Sequence, residues 1–484
     1  MDRKHLPPQG MSPDDVLARL GAYGEQDLAW RTGRTFAYVY DPGPQVEAVA
    51  KAAYTRFLTE NGLDPTAFPS LLRFENDLIS ICLGHLQAPD GAAGSFTSGG
   101  TESIMLAVKA AREHLRAKRP DAGQPELVLP VTAHAAFHKA AHYLGLKLVF
   151  TPVDAQCRAI PEAIAAAITP NTALVVASAP SYAHGVIDPV EAIAKIALEA
   201  GVLCHVDACV GGWLLPWMRR LGAPVPAFDF SVPGVTSMSM DLHKYGFTPK
   251  GASVVLHRSA ELRQRHYFQS ARWAGYTIIN PTVQSSRSGG PVAAAWAVLH
   301  HLGDQGYQDL AGALLEATRR LTEGLAALGL KPLVQPDYCM FAFVSGEGLN
   351  LFHLADEFKL RGWHVQPQLK FEDIPASIHL SLHPGNLAHL DEFLAVAADA
   401  VAATRLLPPN AAPDHLLAMV EGAGADLDVS PEELMGLMAA LGVEGDKLPD
   451  RMAPIHELLN AMPRVMQEGI LGEFMGQLFQ ASRA

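Results

Sequence analysis

Short apolar runs alternate with helical periods from about residue 61 to about residue 310, and that alternation constrains this chain more than any other feature. Leu127-Val128-Leu129-Pro130-Val131, Leu146-Lys147-Leu148-Val149-Phe150 and Ala173-Leu174-Val175-Val176-Ala177 are nearly continuous in apolar residues. Such runs suit strands covered on both faces. Stretches with helical spacing, such as Ile104 to Lys118 and Val190 to Ala200, fall between them. The expected fold class is therefore α/β, a large sheet with helices on both faces. In such a sheet a ligand belongs at the carboxyl ends of the strands. His134, Ser178, Asp207 and Lys244 each sit at, or just after, the end of an apolar or strand-like run.

A chain of 484 residues is too long for one compact core. Residues 1–60 read as an N-terminal arm: a helix from Ser12, a Gly/Pro-rich link at Tyr40-Asp41-Pro42-Gly43-Pro44, and a second helix through Phe57. Residues 61–310 form the large domain, ending in a helix that begins after Gly289-Gly290-Pro291 and reaches His301. Residues 311–406 read as a smaller α+β unit, with strands near Met340 to Val344 and Ile378 to Leu382. Residues 407–484 form a helical, Met-rich extension. Its Met435, Met438, Met452, Met462, Met466 and Met475 are expected to fill packing gaps.

The formal net charge of −13 argues against general nucleic-acid binding, which needs clustered Lys and Arg. It leaves room for an anionic small substrate, because a local basic pocket can oppose the overall field. Five cysteines without a CxxC pair read as free thiols in a reducing compartment. The opening Met1-Asp2-Arg3-Lys4-His5-Leu6-Pro7-Pro8 lacks the apolar core of a signal peptide, and no apolar run reaches the length of a membrane span. The expectation is a cytoplasmic protein without a transmembrane segment. Among the 20 histidines there is no HExxH, and His300-His301 has no third ligand in view, so no catalytic metal is expected.

Three stretches carry the chemistry. Ser239-Met240-Asp241-Leu242-His243-Lys244-Tyr245-Gly246 puts a lysine at the end of a buried segment, where desolvation is expected to lower its pKa and ready it to attack a carbonyl. Leu203-Cys204-His205-Val206-Asp207 ends a buried strand on a carboxylate, which needs a partner or caps the following turn. Gly211-Gly212 would then let backbone approach a ligand closely. Ser98-Gly99-Gly100-Thr101-Glu102-Ser103 opens a helix, with Gly99 and Gly100 leaving room for a phosphate at the exposed N–H groups and Thr101 adding a hydroxyl. An amine to attach a carbonyl, a carboxylate for a ring nitrogen and a phosphate cradle are what pyridoxal 5'-phosphate (PLP) requires. His134 follows a strand and could stack on the pyridine ring; His138 reads as surface or packing, and His205 as a satisfied buried histidine.

These stretches, with Ala133 to Tyr143, Ser178-Ala179-Pro180-Ser181-Tyr182-Ala183-His184-Gly185, His205 to Gly212 and Asp241 to Gly251, resemble the group II PLP-dependent decarboxylase family, on fold type I. Within it the sphingosine-1-phosphate lyase branch is the nearest in wording. The resemblance implies that Lys244 carries the cofactor, Asp207 pairs with its ring nitrogen and His134 stacks on the ring. It places Gly100, Thr101 and His243 at the phosphate and Ser178 near the ring hydroxyl. It also implies a homodimer with shared active sites, in which the loop Ser286 to Gly290, including Gly289, comes from the partner subunit.

For a substrate phosphate the resemblance points to Tyr40, Lys250 and Ser286. It also shows a departure: a branch histidine is replaced, in Asn61-Gly62-Leu63-Asp64-Pro65, by Asp64, which would repel a phosphate unless paired with a base. The implied activity is retro-aldol cleavage of a 2-amino-3-hydroxy compound, with Lys244, His243 or a phosphate oxygen as base. The alternative is decarboxylation of an amino acid, with Tyr182 or His184 governing protonation. A cofactor-carrying but catalytically silent binding protein is a third reading, disfavoured by intact Lys244, Asp207 and His134.

Overall fold

The computed structural model describes residues 4–421, 436, 439, 442–443 and 448–479. Seven strands build the large sheet: β1 (Ala93–Thr97), β2 (Glu126–Pro130), β3 (Lys147–Thr151), β4 (Thr172–Ser178), β5 (Leu203–Asp207), β6 (Ser237–Met240) and β7 (Ser253–His257). Their order is β1-β7-β6-β5-β4-β2-β3. Only β7 runs against its neighbours. The period-2 alternation of a strand divides the apolar residues between two cores. Val128, Val175, Ala177 and Val206 face one, while Leu127, Leu129, Leu174 and Val176 face the other, under helices Gly100–Lys118 and Ala136–Leu144.

The expected strands appear within a residue of their predicted ends. β3 differs in kind: it lies at the edge of the sheet, and Lys147 and Phe150 are exposed. A hairpin of β8 (Phe268–Ser270) and β9 (Ile278–Asn280) follows. The next helix, Gly290–Ala327, is broken at Gly303, whose φ of 60° and ψ of −174° suit glycine. The expected end of the first helix at His301 lies two residues before that break.

The small sheet has the order β10 (Lys331–Pro332), β11 (Met340–Val344), β13 (Ser377–Ser381), β12 (Gln366–Gln368), all antiparallel. Helices Leu351–Leu360 and Leu390–Thr404 cover it. Part of the N-terminal arm belongs to this unit. Phe36 is fully buried, its N–H donates to His364 O at 2.9 Å, and its ring lies 4.7 Å from Phe393. By contrast, helix Pro13–Tyr23, capped by Ser12, buries none of its residues.

The extension has its own cluster around Ile455, Leu458, Met462, Met466 and Ile470. Met452 packs at its edge, as expected, while Met475 is 46% exposed. Met435 and Met438 lie outside the described residues. Among those described, no helix is long and apolar enough to cross a membrane.

Candidate active site

Adjacent strands end together. Ser178 is level with Asp207, and Asp207 with Ser239, so side chains just beyond them converge at one edge of the sheet. They meet a cavity of about 380 Å³ lined by Gly99, Gly100, Thr101, His134, Tyr182, Asp207, Asp241, His243 and Lys244. Ser178 stays behind this wall, 2% exposed, its N–H donating to Asp188 Oδ2 at 2.7 Å.

Lys244 Nζ lies 3.1 Å from Asp241 Oδ2. Sequence reasoning overlooked this carboxylate, although its position three residues before the lysine was the available signal. It also reverses the expected pKa. Burial disfavours the ammonium, but the nearby negative charge, Asp241 first, holds the Lys244 pKa above the lysine value. Asp241 is itself buried, which opposes ionisation, but Lys244 and then His243 keep its carboxyl below the usual value. The lysine is therefore stored as an ion pair, and the amine is freed only when that pair opens.

His243 Nδ1 accepts the Ala252 N–H at 3.2 Å, and burial lowers its pKa to about 4. The neutral ring then carries its proton on Nε2, which is a donor, 3.6 Å from Asp241 Oδ2. His134 Nδ1 likewise accepts the Ala136 N–H at 3.1 Å, and burial lowers its pKa against the pull of Asp207. Tyr182 donates to Gln366 Oε1 at 2.7 Å and stacks on His379 at 4.6 Å, with the His134 ring edge-on at 6.4 Å. His184 is 4% exposed and lies off this wall.

The residues present fit PLP. The buried Asp241 Oδ1 has no hydrogen-bond partner among the described residues. At the start of helix Gly100–Lys118 the first-turn N–H groups of Gly100 and Thr101 are left over by the helix itself. A Cβ on Gly100 would come within 2.8 Å of Asp241 Oδ2 and 2.9 Å of Cys209 Sγ, so only glycine keeps this cradle open. Glu102, also overlooked, steadies the turn. Its Oε2 accepts from Ser98 N and Ser98 Oγ, both at 2.7 Å, and its Oε1 accepts from Val283 N at 2.6 Å. Gly211 and Gly212 serve packing instead of ligand approach: Cβ atoms there would meet Ala179 O at 2.5 Å and Ala208 O at 2.8 Å.

The residues assigned to a substrate phosphate divide. Lys250 Nζ lies 4.9 Å from the Tyr40 ring centroid. It lines a cavity of about 390 Å³ with Tyr40 and His243, and another of about 300 Å³ with Ser286. Burial and then Lys244 lower the Lys250 pKa to about 8. Burial pushes the Tyr40 hydroxyl well up. Asp64 is not brought to this group. It lines a separate cavity, and its Oδ1 accepts from Thr66 N at 2.8 Å and Thr66 Oγ1 at 2.6 Å. Gly289 is packed within its own chain, its N–H donating to Glu60 O at 2.8 Å.

A family model described as the pyridoxal-dependent decarboxylase conserved domain matches residues 29–339, and a second, an HTH-labelled C-terminal domain of pyridoxal-dependent enzymes, matches residues 392–477. The chain is 37% identical over 412 residues to a sphingosine-1-phosphate lyase of Arabidopsis thaliana, covering 83% of this chain and 74% of that one. It is 39% identical over 378 residues to a sphingosine-1-phosphate lyase of Dictyostelium discoideum, covering 78% and 70%. Among solved structures, the sphingosine-1-phosphate lyase of Burkholderia pseudomallei superposes with a TM-score of 0.79 at 34% identity, over 83% of this chain and 93% of that one.

Proposed function

We infer that this chain, which belongs to the pyridoxal-dependent decarboxylase family and within it to the sphingosine-1-phosphate lyase branch, is a PLP-dependent carbon–carbon lyase that cleaves a phosphorylated 2-amino-3-hydroxy substrate to an aldehyde and an amine. The carrying observation is Lys250 beside Tyr40, in a cavity that shares His243 with the neighbouring cavity holding Lys244. A cation there can take the phosphate while the reacting carbons lie over Lys244.

Lys244 would attach the cofactor, Asp207 its ring nitrogen, His134 a ring face, and Gly99, Gly100, Thr101 and His243 its phosphate. PLP, when bound, supplies the sink for the electron pair left as the carbon–carbon bond breaks. The chain's own residues orient the substrate and handle its hydroxyl proton. His243 is a poor base, because its pKa is about 4 and Nε2 already bears the proton. The Lys244 amine, once free, is the remaining nitrogen base and holds the proton taken from the substrate hydroxyl. Amino-acid decarboxylation is the second reading, favoured by Tyr182 on the cavity wall.

The protein is read as a homodimer. Phe268, Trp273, Tyr276 and Ile279 on and beside the β8–β9 hairpin, and the neighbouring Val283, are each more than half exposed. So are Leu17, Leu20 and Tyr23 on helix Pro13–Tyr23. Apolar surface of this extent is characteristic of an interface. Five buried, unpaired cysteines support a reducing, cytoplasmic setting.

The test is a two-channel product assay on the PLP-loaded protein. A phosphorylated long-chain base is expected to yield aldehyde and phosphoethanolamine, and Lys244→Ala to abolish both the product and the visible absorption of the lysine-bound cofactor. Carbon dioxide from an amino-acid panel, with no aldehyde, would replace the lyase reading by the decarboxylase.

A further inference from the structure

His205 is fully buried in the middle of β5, and both its ring nitrogens are used. Nδ1 lies 2.9 Å from Ser237 Oγ and Nε2 lies 3.1 Å from Ser239 Oγ. The arrangement follows from register. His205 and Asp207 are two apart on β5 and so share a face. On β6 their partners are Ser237 and Ser239. The imidazole bridges the two serines, and Ser239 passes on to Asp207, its Oγ donating to Oδ1 at 3.2 Å. The Cys209 N–H donates to the same oxygen at 3.1 Å, and its Sγ–H donates to Ser239 Oγ at 3.2 Å.

The hydrogens in this chain have one consistent order. An ionised carboxylate only accepts, so the single Ser239 hydroxyl hydrogen goes to Asp207. Ser239 must then accept from His205, which puts the imidazole proton on Nε2. A neutral ring leaves Nδ1 bare, and Ser237 O–H donates to it. Burial keeps the ring neutral by lowering its pKa to about 4, against the pull of Asp207. His257 is the other titratable group coupled to it, and burial lowers that pKa too. Every hydrogen therefore points toward Asp207 Oδ1, and among the described residues no protein donor is recorded for Oδ2.

We propose that His205 is a positioning residue for the cofactor: by fixing Ser239 as a donor to Asp207 Oδ1 it holds the carboxylate aimed, with Oδ2 left for the ring nitrogen, and so sets that nitrogen's proton affinity. This rests on the pairing of Asp207 with the ring nitrogen. The buried serines of β6 exist for this relay, since a strand covered on both faces gains nothing from hydroxyls unless they are bonded.

The experiment compares the PLP-loaded wild type with Ser239→Ala, His205→Phe, His205→Gln and Asp207→Asn. The readouts are the dissociation constant of PLP and the pH midpoint of the visible band of the lysine-bound cofactor. Ser239→Ala and His205→Phe are expected to weaken PLP binding about tenfold and to raise the midpoint, as expected for loss of a hydrogen bond to a charged group. His205→Gln, whose amide N–H can replace Nε2–H, is expected to stay near the wild type. Ser239→Ala removes one oxygen and keeps the fold, so the test survives if His205→Phe fails to fold. If Asp207→Asn shifts both readouts while Ser239→Ala and His205→Phe shift neither, the relay is wrong and the Asp207 assignment stands. If Asp207→Asn also leaves both unchanged, the assignment of Asp207 falls with it.

Discussion

Lys244 Nζ and Asp241 Oδ2 form a 3.1 Å ion pair at the floor of the cavity, with the aspartate side chain 3% exposed and the lysine 19%. Breaking such a pair from one side leaves an uncompensated buried charge, which costs roughly 3 kcal/mol. Asp241→Asn is therefore expected to destabilise the cofactor-free protein by about that amount. The pH dependence follows from both partners. Asp241 is lowered from 3.8, so its contribution is present above that value and lost as pH falls through its folded value. Lys244 is raised above 10.5, so its contribution is full below that value and lost as pH rises through its folded value. Urea melts of wild type and variant across pH should stay apart through the neutral range and converge in acid; curves that coincide at pH 7 would refute the pair's contribution.

Gly100 makes a second demand on the same carboxylate. A methyl group there would stand 2.8 Å and 2.9 Å from the two Asp241 oxygens and 2.9 Å from Cys209 Sγ. Overpacking of this kind costs about 1–3 kcal/mol. Gly100→Ala should displace Asp241 and the first-turn N–H groups together. The expected result is about tenfold weaker PLP retention, followed by equilibrium dialysis, since about 1.4 kcal/mol, within that range, corresponds to that factor. Gly99→Ala, whose Cβ would meet His243 Cε1 at 3.5 Å, should be much milder.

What was legible in the sequence depends on how local the cause is. β2 and β4 are buried on both faces, so their apolar runs identify them without help from the rest of the chain. Lys244, Asp207 and the Gly99-Gly100-Thr101 turn could be read because each ends or begins such an element. The Asp241 pair was missed because a spacing of three residues does not reveal direction. Glu102 reaches Val283, 181 residues away, and no local pattern encodes that contact. The glycines at 211 and 212 misled for a related reason: the atoms they avoid belong to Ala179 and Ala208, and a pair of glycines reads alike whether it faces a ligand or neighbouring backbone.

Lys250 is set to sense the charge of what binds beside it. Burial, then Lys244, lower its pKa from 10.5 to about 8. An anion favours the ammonium form, so a phosphorylated ligand should bind well below this pKa and progressively less well above it. Lys250→Met is expected to weaken inhibition by inorganic phosphate about tenfold and to flatten its pH dependence, as for a partly buried charge-assisted contact. Phosphate inhibition that is equal in both proteins at every pH would remove Lys250 from the phosphate site.

The C-terminal extension is fastened by carboxylates. Asp356 is 2% exposed, and its two oxygens accept from Met452 N and Ala453 N, each at 2.9 Å, at the start of helix Ala453–Ala461. Glu357 beside it holds Arg451 at 2.8 Å. The cluster around Ile455, Leu458 and Met462 gives the extension cohesion of its own, so these contacts act as the clasp rather than the core. Removing the cap should cost about 1–2 kcal/mol of docking. Asp356→Ala is therefore expected to speed limited proteolysis between the small domain and the extension, with PLP binding unchanged because the site residues lie elsewhere. Asp356→Asn, which keeps one acceptor oxygen, should fall between. A cleavage rate in Asp356→Ala equal to that of the wild type would show that the extension is held by its apolar contacts alone.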